Sequence, residues 1–212
     1  MLVLASASPR RRDLLTQAGY TFQVIPAEVC EDVRPGEEPI PYVLRLAREK
    51  AEVVAQSPEL LALVAGAADS AVVLGADTTV VAPTGEILGK PENDADAARM
   101  LRMLSGATHQ VITGLAVVAA GATEVAAEVT HVTFSSLSDE NIAGYIASGE
   151  PHGKAGAYAI QGRAARWIPR IHGCYFNVVG LPLALAASMI DAAQRRTAVE
   201  AAAQSALFAK RA

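Results

Sequence analysis

The first twelve residues constrain the fold most tightly. Leu2–Ala5 is a short apolar run, and it stops abruptly at Ser6-Ala7-Ser8-Pro9-Arg10-Arg11-Arg12. A run that short, bounded by a serine and proline cluster, reads as a buried strand feeding a tight turn. Ser8 suits an N-cap and Pro9 the first helical turn, so a helix is expected over Pro9–Ala18, stopped by Gly19. A helix start exposes unpaired backbone N–H groups and a partial positive charge, which together attract anions. Three arginines at that position oppose the helix dipole, at about 0.3 kcal/mol or more each. A purely structural helix favours Asp or Glu there, so the turn is read as an anion cradle, with planar guanidinium forks for phosphate oxygens.

The rest of the chain alternates between the two periods. Phe22–Ile25 is expected as a strand, and the acidic, proline-bearing stretch Glu28–Pro41 as loop. Ile40–Gln56 is helical, with Val43, Ala47, Ala51 and Val54 on one face and Lys50 beside it. Val72–Ala76 is strongly β-prone and continues through Thr78–Val81; Pro83-Thr84-Gly85 turns the chain, and Glu86–Leu88 returns as a hairpin. A helix runs from Asn93 to Gly106 and a shorter one from Ser138 to Ala147. Two long strands, Gln110–Ala119 and Glu124–Phe134, join through Gly121. Glu150–Gly162 is loop-like, Arg166–Ile171 and Tyr175–Val179 read as strands, and Pro182 opens an alanine-rich helix towards Lys210. Ser57–Ala71 has no clear assignment. The pattern implies an α/β fold, a mixed twisted sheet flanked by helices. One domain is expected over residues 1–195, with an Ala-rich helical tail over 196–212.

Composition narrows the function. In 212 residues the formal charge is -4 and aromatics make up 5%. A mildly acidic chain repels nucleic-acid backbones, and few aromatics argue against base-stacking surfaces. No nucleic-acid partner is therefore expected. The longest apolar stretch, Leu60–Ala76, is broken by Asp69 and Ser70 and is too short for a membrane span. With no secretory pattern and only Cys30 and Cys174, a cytoplasmic protein without disulfides is expected.

The candidate chemistry lies in a few residues. Asp77 ends the run Val72–Ala76, where α/β sheets place their sites, and Thr78-Thr-Val-Val81 after it is no turn. Lys50 borders an apolar helix face, and Lys90 is held between Gly89 and Pro91. Glu28, Glu31 and Asp32 form an acidic loop able to hold Mg²⁺ through one or two oxygens. Gln161, in a run of small residues, offers a two-sided amide for a base edge. The four histidines lack HExxH or paired spacing, and there is no GxSxG and no complete P-loop. A phosphate cradle, two lysines and carboxylates together suit metal-assisted attack of water on a polyphosphate.

These residues resemble the Maf family of nucleoside triphosphate pyrophosphatases. The resemblance is carried by Ser6-Ala-Ser-Pro-Arg-Arg11, Arg48-Glu-Lys50-Ala51, Leu74-Gly-Ala-Asp77-Thr78, Gly89-Lys90-Pro91, Lys154-Ala-Gly-Ala-Tyr158-Ala-Ile-Gln161-Gly162 and Asn177-Val-Val-Gly-Leu-Pro182. It implies a nucleotide cleft between two lobes and hydrolysis between the α and β phosphates, as house-cleaning of the nucleotide pool. Asp77 would accept the proton of the attacking water. Ser8, Arg10, Arg11, Lys50 and Lys90 would hold the triphosphate. Glu31, with Asp77, would lie near a divalent ion (Mg²⁺, Mn²⁺ or Co²⁺), Asp32 being the alternative to Glu31. Arg11, Thr78 and Gln161 look like the dTTP/UTP subgroup rather than the 7-methyl-GTP one. Family members are often homodimers. A regulatory nucleotide-binding role in septum formation is the competing implication.

Overall fold

The computed structural model describes residues 1–64 and 71–209, with side chains as far as Ala202. The chain begins with β1 (Leu2–Ala5), α1 (Pro9–Gln17) and the two-residue β2 (Gln23–Val24). A long loop leads to α2 (Pro39–Ala55) and α3 (Pro58–Leu63). Then come β3 (Val72–Val81), β4 (Ile87–Leu88), α4 (Asp94–Leu104), β5 (Thr108–Ala119), β6 (Ala122–Thr133) and α5 (Asp139–Ile146). Two 3₁₀ turns, Ala155–Ala157 and Arg163–Trp167, precede β7 (Arg170–His172), α6 (Tyr175–Val179) and α7 (Leu183–Ala209).

The seven strands form one mixed sheet, ordered β2-β1-β3-β5-β6-β7, with β4 paired to the end of β3. β1 runs parallel to β2 and β3, and the remaining pairs are antiparallel. Both faces are covered in the middle of the sheet. Leu2 and Leu4 pack with α1, α4 and α7 on one face, and Val3 and Ala5 pack with α2 on the other. That double burial explains why β1 and the first half of β3 read as unbroken apolar runs instead of alternating.

The contact of α2 with the sheet sets up the site. A Cβ on Gly75 would stand 2.2 Å from the Ala47 carbonyl oxygen, and one on Gly114 would stand 2.4 Å from that of Val43. Gly75 and Gly114 lie on adjacent strands, Gly75 opposite Ala116 and Gly114 opposite Asp77. Bare backbone at both positions lets the helix lie directly on β3 and β5.

Several expectations need correction. Tyr175–Val179 is a helix, not a strand. Its aromatic and β-branched residues favour strand locally, but Asn177 is fully buried and its amide nitrogen donates to the Val111 carbonyl and Thr130 Oγ1, both 2.9 Å away. Gly173 (φ 129°) and Gly180 (φ 126°) turn the chain at either end, so tertiary contacts override propensity. Arg166–Ile171 splits into a 3₁₀ turn and the strand Arg170–His172. Only Gln23 and Val24 of Phe22–Ile25 pair with β1 as a strand. Within Ser57–Ala71, Ser57 caps α3, and residues 65–70 lie outside the described residues. The C-terminal helix spans Leu183–Ala209, and Lys210 lies outside the described residues. Among the described residues no helix is long and apolar enough to cross a membrane.

Candidate active site

The elements above open one cleft of about 490 Å³. Its walls are the β1–α1 turn, the middle of β3, the loop before α2, the Gly89-Lys90 corner, the Gly153–Gln161 segment and the α6–α7 turn. All nine site residues expected from the sequence (Ser8, Arg10, Arg11, Glu31, Lys50, Asp77, Thr78, Lys90 and Gln161) line it. Glu28 and Asp32 do not line it; the Asp32 carboxylate accepts from Cys30 Sγ at 3.2 Å instead.

Asp77 lies two residues beyond Gly75, on the same face of β3, and so points under α2. Lys50 stands one helical turn beyond Ala47, the residue that presses on Gly75. Close packing at Gly75 thus brings the two charges together. Lys50 Nζ donates to Asp77 Oδ1 at 2.7 Å and to Glu31 Oε1 at 2.6 Å. Lys90 Nζ donates to Glu31 Oε2 at 2.9 Å. Lys50 and Asp77 are nearly sealed, with side chains 9% and 11% exposed, whereas Lys90 is 61% exposed.

Environment separates the two carboxylates. Burial pushes the Asp77 carboxyl above the ordinary aspartate range, and Lys50 and Arg11 offset this only in part. Burial acts the same way on Glu31, but hydrogen bonds and charge from Lys50 and Lys90 together outweigh it and hold Glu31 at about 2. Such a divergence within one site fits a division of roles, one group exchanging protons and the other staying charged.

Glu31 and Asp77 bring carboxylate oxygens, the donors a hard divalent ion takes, to an open cleft, and the Lys50 ammonium fills the position between them. Mg²⁺ is held by one or two carboxylates together with waters and phosphate oxygens. Among the described residues no group of three or more His, Cys, Asp or Glu gathers into a closed protein cage.

The arginines behave differently from one another. Arg11 is buried and spends four donors on the protein: Nε to the Gly180 carbonyl (2.9 Å), Nη1 to Ser6 Oγ (3.1 Å) and the Ala76 carbonyl (2.9 Å), and Nη2 to Thr78 Oγ1 (3.1 Å). Thr78 Oγ1 also shares a hydrogen bond with Thr113 Oγ1 at 2.9 Å. Arg11 therefore braces β1, β3 and the α6–α7 turn, which offsets its unfavourable place on the helix dipole. Arg10 has no such explanation: it makes no hydrogen bond or ion pair among the described residues. Ser8 does not cap α1 with its side chain; its own N–H donates to Ser6 Oγ at 3.2 Å.

Sequence reasoning missed the residues that hold the acidic loop. Tyr42 donates its hydroxyl to the Glu31 carbonyl at 2.8 Å. Arg45 grips Glu37 through Nε (2.6 Å) and Nη2 (2.7 Å), and Nη2 also reaches the Asp32 carbonyl at 3.0 Å. Both come from the first turns of α2, which anchors the loop and Lys50 at once. In the sequence, only the four-residue spacing of Arg45 from Glu49 hinted at a role. Arg45→Ala is expected to cost about 1–2 kcal/mol, because a nearly covered bidentate pair is lost. Glu31 should then lose its fixed position. Thermal melts check the cost: Tm should drop by about 2–8 °C.

The strand–turn–helix segment from Ser6 to Arg11 thus faces the buried Asp77–Lys50 pair across one cleft of a mixed α/β sheet. A family model described as Maf-like protein matches residues 1–193, and the chain belongs to that family. Curated relatives agree along most of its length. The chain is 51% identical over 183 residues to a dTTP/UTP pyrophosphatase of Koribacter versatilis, an alignment covering 86% of this chain and 89% of the relative. It is 51% identical to the dTTP/UTP pyrophosphatase of Pelotomaculum thermopropionicum, covering 89% and 94%. To that of Geotalea uraniireducens it is 47% identical, covering 94% and 96%.

Proposed function

We propose that this chain is a hydrolase that splits dTTP and UTP, and modified pyrimidine relatives, into the nucleoside monophosphate and pyrophosphate, clearing aberrant nucleotides from the pool. One observation carries the reading: Asp77, Lys50, Glu31 and Lys90 are bonded into one network on a cleft that Arg10 and Gln161 also line. The relatives' names supply the substrate class.

In this reading a water oxygen bonds to the α-phosphorus. The bond from that phosphorus to the bridging oxygen breaks, and its electron pair leaves on pyrophosphate. Asp77 takes the proton of the water, a role helped by its raised affinity for protons. Lys50 keeps Asp77 and Glu31 in place, while Lys90 and Arg10 face the phosphates. Ser8 lies at the open helix end, and Arg11 with Thr78 forms the wall beside the base. A divalent ion (Mg²⁺, Mn²⁺ or Co²⁺) held by Glu31 and Asp77 would supply charge neutralisation and polarise the phosphoryl oxygens. A cytoplasmic setting rests on the cysteine usage, and the absence of a nucleic-acid partner on the charge balance. A homodimer rests on the resemblance alone.

The deciding experiment incubates the protein with Mg²⁺ and dTTP, UTP, CTP, GTP or 7-methyl-GTP and separates the products. Monophosphate and pyrophosphate from dTTP and UTP support the reading. Turnover of 7-methyl-GTP alone keeps the mechanism and overturns the assigned specificity. Nucleotide bound without turnover points to the regulatory role. Base choice is assigned to Gln161, whose amide offers one donor and one acceptor to the O4/N3 edge of uracil or thymine. A carboxylate has no donor, so Gln161→Glu should cut kcat/KM for dTTP about tenfold or more. An unchanged dTTP preference in that variant would rule the assignment out.

A further inference from the structure

The cleft carries a second pair of cations, placed by strained backbone. In the turn Lys154–Tyr158, Gly156 and the following Ala157 both have positive φ, 67° and 59°. For alanine this conformation costs about 1 kcal/mol or more. The turn is buried and held there. Gly156 N–H donates to the Gly89 carbonyl at 3.0 Å, directly before Lys90, and Ala157 N–H donates to the Lys154 carbonyl at 3.0 Å. A Cβ on Gly156 would lie 2.8 Å from the Val80 side chain. Strain held in place by its surroundings is a property of ligand clamps.

This turn presents Lys154 to the cleft. Its ammonium donates to the Glu150 main-chain carbonyl at 2.5 Å, and among the described residues it has no carboxylate within ion-pair distance. Two of its N–H groups remain. Arg10 lines the same cleft, half-buried and unpaired among the described residues. Burial, and then the Arg10 charge, hold the Lys154 ammonium below its ordinary range, and the Glu150 carboxylate offsets this only in part. Two partly desolvated cations repel, and an anion bound between them reverses the sign of that interaction.

Resting on the pyrophosphatase reading above, we propose that Lys154, with Arg10, clamps the phosphate chain of the substrate, and that the strained Lys154–Ala157 turn is its preformed support. The probe is inorganic tripolyphosphate, titrated calorimetrically into the wild type, Lys154→Ala and Lys154→Arg. Kinetics with dTTP and thermal melts run in parallel. Lys154→Ala should bind tripolyphosphate about tenfold or more weakly, with KM raised and kcat little changed, and Lys154→Arg should recover most of both. Arg170→Ala removes an exposed charge outside the cleft and should change tripolyphosphate affinity less than twofold. Lys154→Ala that melts like the wild type and binds tripolyphosphate as tightly overturns the clamp, and so does a wild type that cleaves dTTP but binds no tripolyphosphate. A wild type that cleaves no pyrimidine triphosphate overturns the pyrophosphatase reading instead. The clamp would still stand in that case if tripolyphosphate binds and the binding depends on Lys154.

Discussion

Asp77→Asn is expected to lower kcat for dTTP by about 10²–10⁴-fold, the usual contribution of a general base. Asparagine keeps the shape of the side chain and loses its negative charge, and with it the capacity to take a proton and to share the divalent ion proposed above. Glu31 still pairs with Lys50 in the variant, so that ammonium is not left alone in the cleft. The pH dependence gives the sharper test. A base acts when deprotonated, so wild-type activity should fall as pH drops through the range in which Asp77 takes up a proton, and Glu31, held well below the usual carboxylate range against its own burial by Lys50 and Lys90, cannot supply the same limb. The residual activity of Asp77→Asn should lack it. Stability should move the other way. A carboxyl whose pKa is raised on folding contributes stability at low pH, and that contribution is lost as pH rises through the folded value. Above that value the variant escapes the loss, so its Tm should match or exceed that of the wild type. An Asp77→Asn enzyme within tenfold of wild-type kcat would remove Asp77 from the role of base.

Gly75→Ala should show how far the site depends on packing. The added Cβ would stand 2.2 Å from the Ala47 carbonyl oxygen, 2.8 Å from the Ala51 nitrogen and 2.9 Å from the Ala51 Cβ. Two of these three neighbours are backbone, so no rotamer change relieves the clash and α2 must move. Overpacking of this kind costs about 1–3 kcal/mol, and its upper end applies where backbone must shift. At about 2–4 °C per kcal/mol for a chain of this size, Tm should drop roughly 6–12 °C. Activity should fall as well at temperatures where the variant is fully folded, because α2 carries Lys50, Tyr42 and Arg45. A Gly75→Ala protein with wild-type Tm and kcat would show that the helix does not need this close approach.

The two substitutions bear on different kinds of information. Asp77, Lys50, Lys90 and Arg10 were recognisable in the sequence because each is a charged residue in a setting that disfavours charge or mobility. Asp77 interrupts a β-prone run, Lys50 borders an apolar face, Lys90 sits between glycine and proline, and Arg10 stands on the wrong end of a helix dipole. Most elements were legible for a related reason: capping serines, prolines, glycines and apolar periodicity are local signals. Tyr175–Val179 was not, since its helix exists to bury Asn177 against β5 and β6. Lys154 was not, since its turn depends on a contact with Gly89 sixty-seven residues earlier in the chain.

The sequence by itself determined the class of fold, the strand–turn–helix start and the set of charged residues available for chemistry, because those follow from short-range pattern and side-chain type. The tertiary structure decided how they are used. It spent four Arg11 donors on protein oxygens and brought Glu31, not Asp32, to the cleft wall. It also placed Lys50 between two carboxylates by seating α2 on Gly75 and Gly114. Proton affinity, desolvation and pairing depend on distances of a few ångströms between segments far apart in the chain, and only the packed molecule sets those distances.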